Sequence, residues 1–244
     1  MTDERIVADH GAGVVFDGSL TPDLDMRWFD VTYWQGRKAM RRLGGGRGGV
    51  FVVDTPAGEC VLRHYRRGGG VARALGDRYL WTGQARMRSL MEFRLLCRLY
   101  RAGLPVPRAV GGAWVRSGIY YRADLLTRFI AGGRALSAEL GRVRDNPEIA
   151  DRIGECVGRF HAHGVFHADL NAHNILLDGD DKVSLIDFDR CRIRPPQVSW
   201  QQANLARLHR SLMKLDAAGD DVSGWQQHWW GALRAAHARA LEAA

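Results

Sequence analysis

The stretch from Gly164 to Asp189 reads GVFHADLNAHNILLDGDDKVSLIDFD, and the rest of the chain is organised around it. Residues 174–178 are typical of a strand that leaves a polar loop, and residues 179–181 have turn chemistry. Residues 183–186 alternate into a second strand. The stretch therefore predicts a short hairpin with a polar loop at each end.

Four polar residues lie at the ends of this hairpin. His167, Asp169 and Asn174 form the pattern H-x-D-x-x-x-x-N, and Asp187 follows thirteen residues after Asn174. The hairpin brings Asn174 beside Asp187, where an amide oxygen and a carboxylate can hold Mg²⁺ against nucleotide phosphates. Asp169 then faces this metal site with a carboxylate that can orient an attacking hydroxyl. We predict Asn174 and Asp187 as metal ligands, Asp169 as the catalytic residue and His167 as a hydrogen-bonding scaffold.

This joint pattern resembles the catalytic and metal loops of the protein-kinase-like superfamily, in which H-R-D-x-x-x-x-N is followed by D-F-G. The alternative is a chance set of polar turns beside two core strands, which the joint spacing of Asp169, Asn174 and Asp187 disfavours. The resemblance implies an α+β, bilobal fold. Residues 1–130 would form an N-terminal lobe of antiparallel sheet with one main helix, and residues 131–244 a reduced, mainly helical C-terminal lobe.

A glycine-rich turn precedes an apolar strand at residues 41–53. Glycines allow backbone amides to approach phosphate closely, so the turn resembles the nucleotide-covering loop of kinases. It does not match the kinase pattern G-x-G-x-x-G-x-V cleanly, and a plain flexible turn is the alternative. The predicted nucleotide-binding glycines are Gly44, Gly45, Gly46 and Gly48.

A cation and an acid follow on the next two elements. Arg63 lies on a strand predicted at residues 59–65, where kinases carry a lysine, and a guanidinium can also neutralise phosphate charge. Glu92 lies on a helix predicted at residues 86–100 and matches the glutamate that pairs with this cation. The alternatives are an exposed strand arginine and a surface glutamate.

Outside these motifs the chain shows packing signals. The aromatic residues near Trp28 and Trp34 favour a packed edge over a ligand site. Hydrophobic spacing predicts further strands at residues 14–16, 110–115 and 119–129, and helices at residues 146–163, 200–215 and 222–243. Trp225, Trp229 and Leu233 form a stripe on the last helix that is either core or a membrane-touching face.

Composition limits the partners and the compartment. The chain has 35 basic and 27 acidic residues, a formal charge of +8, which favours an anionic partner. The four cysteines have no C-x-x-C spacing, so we expect reduced, buried thiols rather than a zinc site or disulfides. The charged N-terminus lacks an apolar signal core, and no window of 18 consecutive apolar residues predicts a membrane span.

Several stretches together resemble a narrower group, the 3-deoxy-D-manno-octulosonic acid (Kdo) kinases of lipopolysaccharide assembly, more closely than the lipopolysaccharide heptose kinases. They are residues 62–69, 103–107, 123–127, 167–177 and 185–189. Arg63 in place of lysine and Asp189 in place of the D-F-G glycine look normal in this group. The resemblance implies Mg²⁺ and ATP-dependent phosphorylation of the Kdo 4-hydroxyl on a Kdo-lipid A precursor, by a peripheral protein at the cytoplasmic face of the inner membrane.

Two other functional hypotheses stay open at this point. One is a different small-molecule kinase of the same fold, acting on heptose or an aminoglycoside-like substrate. The other is a basic, pseudokinase-like binding protein that docks on nucleic acid or anionic lipid, although the presence of Asp169, Asn174 and Asp187 weighs against it. We expect the acceptor and the anionic membrane surface as partners, expect no nucleic acid, and leave the oligomeric state open.

Overall fold

The computed structural model describes residues 3–43, 50–66, 76–144, 146–216 and 225–243. The chain separates into two compact units: the first contains residues 1–102 and 107–129, the second residues 103–106 and 130–244. The assignment of residues 1–130 to a nucleotide-binding lobe and residues 131–244 to a catalytic lobe stays a prediction.

The first unit is built on an eight-stranded sheet in which every pairing is antiparallel. The strands are β1 (Glu4–Asp9), β2 (Ala12–Asp17), β3 (Met40–Arg42), β4 (Val50–Thr55), β5 (Gly58–His64), β6 (Tyr79–Leu80), β7 (Ala109–Ser117) and β8 (Tyr120–Arg128). Their order is β1-β2-β7-β8-β5-β4-β3, and β6 pairs with β8 beside that path. Two-residue turns join three of the hairpins, as antiparallel neighbours permit.

The main helix of this unit, α2 (Arg88–Arg101), packs against β7 and follows the shorter α1 (Val31–Gly36). Its buried side includes Leu90, Phe93 and Leu96, which recur at helical spacing and give the helix one apolar face. Gly112 of β7 lies under the start of the helix, where an added Cβ would stand 3.1 Å from the Cβ of Ser89. The helix therefore approaches the strand closely.

The aromatic N-terminal segment is part of the core. Trp28, Phe29 and Trp34 are buried together with side chains of the sheet. The indole nitrogen of Trp34 donates to the carbonyl of Trp28 at 2.8 Å, which satisfies its polar atom in the buried site. The packed interpretation of this segment is therefore correct for these three side chains.

The second unit is mainly helical. Its helices are α3 (Leu140–Val143), α4 (Pro147–Ala162), α5 (Val198–Asp216) and α6 (Trp225–Glu242). Its strands are β9 (Arg134–Ala135), β10 (Val165–Phe166), β11 (Ile175–Leu177), β12 (Val183–Leu185) and β13 (Arg192–Ile193), arranged as sheets β12-β11-β9 and β10-β13. None of the helices within the described ranges is long and apolar enough to cross a bilayer.

Helices α4 and α6 pack closely because α4 has glycines on the shared face. A Cβ added at Gly154 would stand 3.0 Å from the Cβ of Ala236. A Cβ added at Gly158 would stand 2.6 Å from the Cβ of Ala240. Leu233 of α6 is fully buried. The core interpretation of the aromatic stripe on α6 holds for Trp229 and Leu233, while the side chain of Trp225 lies outside the described residues.

The predicted α+β class is confirmed: an antiparallel N-terminal sheet with one main helix precedes a mainly helical part. The sequence missed six short or exposed strands: β1, β3, β6, β9, β10 and β13. All six residues of β1 are exposed, so that strand lacks the alternation of a half-buried one, and β6 has only two residues.

Candidate active site

The polar loop that precedes the hairpin starts with a turn only glycine fits. Helix α4 ends at Ala162, and Gly164 has a φ of +71° in the left-handed region. An added side chain there would also collide with the carbonyl of Arg194. Strand β10 then carries the chain to His167, and we call residues 164–174 the catalytic loop.

Asparagine side chains fix the backbone around Asp169. The amide nitrogens of Asn171 and Asn174 both donate to the Asp169 carbonyl, at 3.0 and 2.9 Å. Because the nitrogen of the buried Asn174 side chain is used in this way, its Oδ1 is the atom left for a ligand, and it accepts no hydrogen bond from a described residue. That orientation fits a metal ligand, since Mg²⁺ takes oxygen donors.

Asp187 is brought to the same end of the hairpin by the pairing of β11 with β12. Ile175 lies opposite Leu185, and the Ile186 amide donates to the Asn174 carbonyl at 3.0 Å. Asp187 is the next residue, and its φ of +62° turns the chain out of the strand. An amide oxygen and a carboxylate therefore lie at neighbouring strand ends. Mg²⁺ takes one or two such protein ligands when phosphates complete its coordination shell.

His167 joins the two loops. Its Nε2 donates to the carbonyl of Ile186 at 3.1 Å, and its Nδ1 accepts from the amide of Asp169 at 3.3 Å. This pattern requires the neutral ring protonated on Nε2. Burial lowers the pKa of His167, in agreement with a neutral scaffold. The predicted scaffold role matches this geometry.

Helix α5 holds the catalytic loop through three side chains on one face, which the sequence analysis did not single out. Asn204 accepts from the His167 amide at 3.2 Å and donates to its carbonyl at 3.0 Å. One turn later Arg207 makes an ion pair with the carboxylate of Asp169. Ser211 then accepts from the Ala172 amide at 3.2 Å. Polar residues at positions i, i+3 and i+7 of a helix were the signal available in the sequence.

Two buried histidines form a chain of hydrogen bonds that ends at Asn204. Nε2 of His161 lies 3.4 Å from Oδ1 of Asn204, and Nδ1 of His161 lies 2.8 Å from Nε2 of His237. Burial lowers the pKa of His161 to about 3, and burial also lowers the pKa of His237. Both rings are therefore neutral, and the three side chains tie α4, α5 and α6 together behind the loop.

The first unit contains the predicted cation and its acid. Arg63 on β5 lies 2.5 Å from Glu92 on α2, and the hydroxyl of Tyr65 donates to the same carboxylate at 2.6 Å. The Glu92 side chain is only 3% exposed and that of Arg63 is 23% exposed. The guanidinium also lies over the Tyr65 ring, 4.8 Å from its centroid. The structure thus forms the expected pair, while its contact with nucleotide phosphates stays a prediction.

The predicted glycines, Gly44, Gly45, Gly46 and Gly48, lie outside the described residues. The residues on either side of them are paired, because the Leu43 amide donates to the Val50 carbonyl at 3.1 Å and β3 pairs with β4. The four cysteines are free and buried.

Comparison with known proteins gives concordant matches. Residues 31–235 match the model of the lipopolysaccharide kinase (Kdo/WaaP) family. A protein of Xanthomonas campestris pv. campestris (strain B100) named 3-deoxy-D-manno-octulosonic acid kinase is 43% identical over 88% of this chain and 85% of its own length. Proteins of the same name from Xanthomonas axonopodis pv. citri (strain 306) and Stenotrophomonas maltophilia (strain K279a) are 45% and 44% identical, each over 83% of this chain and 80% of their own.

One solved structure in the comparison is described as WaaP in complex with acyl carrier protein. It is 17% identical and aligns with a TM-score of 0.47 over 86% of this chain and 91% of its own.

Proposed function

The chain belongs to the lipopolysaccharide kinase (Kdo/WaaP) family, and from this membership and the site geometry we propose that it is an ATP-dependent kinase of a Kdo-bearing acceptor. The observation that carries the proposal is the hydrogen-bonded hairpin of the second unit, which fixes Asp169, Asn174 and Asp187 relative to one another. A phosphotransferase needs an aimed hydroxyl and compensated phosphate charge, and these residue types supply both.

Asp169 aims the acceptor hydroxyl. Its carboxylate is 51% exposed while its carbonyl is held by two asparagines, so the group is accessible on a fixed backbone. The hydroxyl oxygen bonds to the γ-phosphorus of ATP as the bond from that phosphorus to the β–γ bridging oxygen breaks. The hydroxyl proton passes to the carboxylate of Asp169.

Asn174 and Asp187 would hold the divalent cation, for which Mg²⁺ is the natural candidate. When bound, Mg²⁺ neutralises the charge that develops on the phosphate oxygens. Arg63 supplies a second positive charge for the phosphates, and Glu92 fixes the direction of its guanidinium. Most of the acceleration therefore comes from positioning and charge compensation, because the transition state of phosphoryl transfer is loose.

The acceptor we propose is the 4-hydroxyl of Kdo on a Kdo-lipid A precursor. The names of the relatives point to this acidic sugar, and the formal charge of +8 suits an acceptor rich in carboxylate and phosphate. An arginine-rich surface adds forked donors that match both anions.

The working place we propose is the cytoplasmic face of the inner membrane, with the protein bound peripherally to the anionic surface. The turn between β7 and β8 supports this location. Ile119 of this turn and Leu80 of the neighbouring strand β6 are exposed, and the Trp81 amide donates to the Ile119 carbonyl at 2.8 Å. Arg116 lies over the Trp81 ring, 4.9 Å from its centroid. Exposed aliphatic side chains beside tryptophan and arginine are typical of interfacial membrane contact.

Mass analysis of a Kdo-lipid A precursor after incubation with protein, ATP and Mg²⁺ tests the proposed activity. We expect one added phosphate per acceptor, lost when Mg²⁺ is chelated. A parallel incubation with a heptose-bearing core acceptor lacking accessible Kdo is the specificity control. Phosphate gain on the heptose acceptor alone would replace the proposed substrate with heptose.

Co-sedimentation with vesicles tests the location. We expect binding to vesicles that contain anionic lipid, weaker binding at high salt, and reduced binding of Ile119→Asp. Val198→Asp is the matched control, because Val198 is also an exposed aliphatic residue but lies at the start of α5. Equal binding of both variants and the wild type would remove the β7–β8 turn from the membrane contact.

A further inference from the structure

A half-exposed arginine stands beside the carboxylate that aims the acceptor. Arg207 makes an ion pair with Asp169, and the two side chains are 48% and 51% exposed. The contact uses Nη1 of Arg207 and Oδ1 of Asp169. An ion pair that open to water contributes little to stability, so the arginine is not explained as a structural brace.

Other residues already fix the position of Asp169. Asn171 and Asn174 hold its carbonyl, and the His167 ring accepts from its amide. Asn204 of α5 holds both backbone groups of His167. The loop therefore keeps its backbone geometry without the guanidinium of Arg207, whose donors other than Nη1 can bind a further group.

The position of Arg207 is fixed by its own helix. Asn204 lies three residues before it and Ser211 four residues after it, and both are bonded to the catalytic loop. The Cα of Arg207 is consequently anchored, and only its side chain can reorient. An arginine on such an anchor is preorganised to receive an anion at a defined distance from Asp169.

Arg207 has donors to spare. A guanidinium carries five N–H donors, and the Nε and Nη2 donors of Arg207 bond to no described residue. The remaining edge matches the two oxygens of a carboxylate. A hydroxyl aimed by Asp169 and a carboxylate held by Arg207 would lie within the width of one sugar ring of each other, since the two side chains touch.

We propose that Arg207 binds the carboxylate of the sugar acid acceptor and thereby selects an acidic sugar over a neutral one, an inference that rests on the proposed Kdo kinase activity. Nη1 stays with Asp169 while the Nε–Nη2 edge takes the acceptor carboxylate. Arg207 is then a specificity-determining residue that touches the substrate on the side away from the reacting hydroxyl.

The test compares two acceptors that differ only in charge: the Kdo-bearing acceptor, and the same molecule with the Kdo carboxylate converted to a carboxamide. We expect the wild type to prefer the acid by about 10- to 100-fold in kcat/KM, the range expected for a charge-assisted hydrogen bond. In Arg207→Ala the ratio falls to about 1 because the acid loses its partner. Arg207→Lys keeps the charge without the fork and gives an intermediate ratio.

Arg210→Ala is the matched control, because Arg210 lies exposed on the same helix and makes no hydrogen bond or ion pair with a described residue of the catalytic loop. It should retain the wild-type ratio. Equal losses on both acceptors in Arg207→Ala would overturn the proposal and make Arg207 a positioning residue for Asp169. If the wild type phosphorylates neither acceptor, the proposed kinase activity fails and this inference fails with it.

A binding measurement gives a second readout that does not depend on turnover. Calorimetric titration of the free sugar acid into wild type, Arg207→Gln and Arg210→Ala should show weaker binding only for Arg207→Gln. Thermal unfolding of the three proteins should agree, since the replaced side chains are exposed. Unchanged affinity in a folded Arg207→Gln would contradict the proposed contact.

Discussion

Each unit of this protein contains one arginine–carboxylate pair at its candidate site, and the two pairs differ in burial. The Arg63–Glu92 pair has a carboxylate that is almost fully buried and shares it with a tyrosine hydroxyl. The Arg207–Asp169 pair is half exposed on both sides. Burial makes the first pair a permanent part of the fold, whereas water access lets the second pair admit a substrate.

The difference in burial indicates which side chain of each pair can contact a ligand. In the first unit the acid is buried and the cation reaches the surface, so Glu92 serves Arg63. In the second unit both groups reach solvent, so Asp169 and Arg207 can each contact the acceptor. Breaking the buried pair should damage the fold, and breaking the open pair should damage only the chemistry.

The largest expected effect is on turnover, from Asp169→Asn. The variant keeps the shape but loses the carboxylate that we propose receives the hydroxyl proton, so kcat should fall by about 10² to 10⁴-fold. The midpoint of thermal unfolding and the affinity for ATP should match the wild type, because the lost ion pair is exposed. Asp180→Asn, in the turn of the same hairpin, is the control and should turn over normally. Unimpaired phosphorylation by Asp169→Asn would remove this residue from the mechanism.

For the buried pair, we expect Glu92→Gln to lower the stability of the fold, whereas Asp169→Asn lowers turnover and leaves stability unchanged. The substitution removes the charge of the buried carboxylate that faces Arg63, and the free energy of unfolding should fall by about 3 kcal/mol. Chemical denaturation of Glu92→Gln and of the double variant Arg63→Met/Glu92→Gln measures this loss. The double variant should be more stable than Glu92→Gln alone, since it no longer contains a guanidinium that has lost the Glu92 carboxylate. Strictly additive losses would show that the two groups are not coupled.

Asn204 refines the comparison, because it is buried but holds the loop that carries the exposed Arg207–Asp169 pair. Asn204→Ala leaves the amide and carbonyl of His167 without partners, so the free energy of unfolding should fall by about 2 kcal/mol and kcat should fall with it. Ser211→Ala removes a single contact with the same loop and should cost about 1 kcal/mol. Denaturation and steady-state kinetics on both variants test this order. A reversal would mean that Ser211, rather than Asn204, is the main anchor of the loop.

The smallest effect is a pH dependence of opposite sign in the two units. His64 in the first unit has a raised pKa because Asp124 hydrogen-bonds to it, with Asp77 on its other nitrogen. It contributes stability below about pH 6.5 that is lost as pH rises through its folded pKa. His161 in the second unit has a pKa lowered to about 3 by burial, so the folded state loses about 1 kcal/mol between pH 6.5 and 5.5.

Thermal unfolding from pH 5 to pH 9 separates these contributions. His161→Asn should flatten the acid side of the profile, while His64→Gln should lower stability at pH 6 and lower it less as the pH rises. His163, exposed at the end of α4, is the control position. A His161→Asn profile as steep as the wild type below pH 6.5 would assign the acid sensitivity to other groups.

The sequence predicted the parts of the site that depend on local geometry. Asn174 and Asp187 are strand ends of one short hairpin, so their spacing along the chain determines their proximity. Arg63 and Glu92 come from separate elements, and only the resemblance to kinases linked them before the structure did. The fold class was predictable for the same reason, since strand alternation and helical spacing are local signals.

The contributions of α5 were not predictable in this way. Arg207 reaches Asp169 across 38 residues, and Asn204 reaches His167 across 37, so both contacts depend on how the helix packs. Their spacing of three residues is common on exposed helix faces, and nothing local distinguishes a helix that holds a loop from one that faces water. Likewise, burial of Trp28 and Trp34 was predictable as packing, but their indole hydrogen bond was not.

Asp187 has a positive φ of +62°. At this position thermal stability favours one residue, glycine, and the proposed metal binding requires another, aspartate. A left-handed backbone costs an L-residue about 1 kcal/mol that glycine does not lose. A library screened only for survival on heating should therefore enrich glycine at position 187, and the enriched clones should be catalytically silent. A screen for phosphorylated acceptor should instead retain aspartate at the same position.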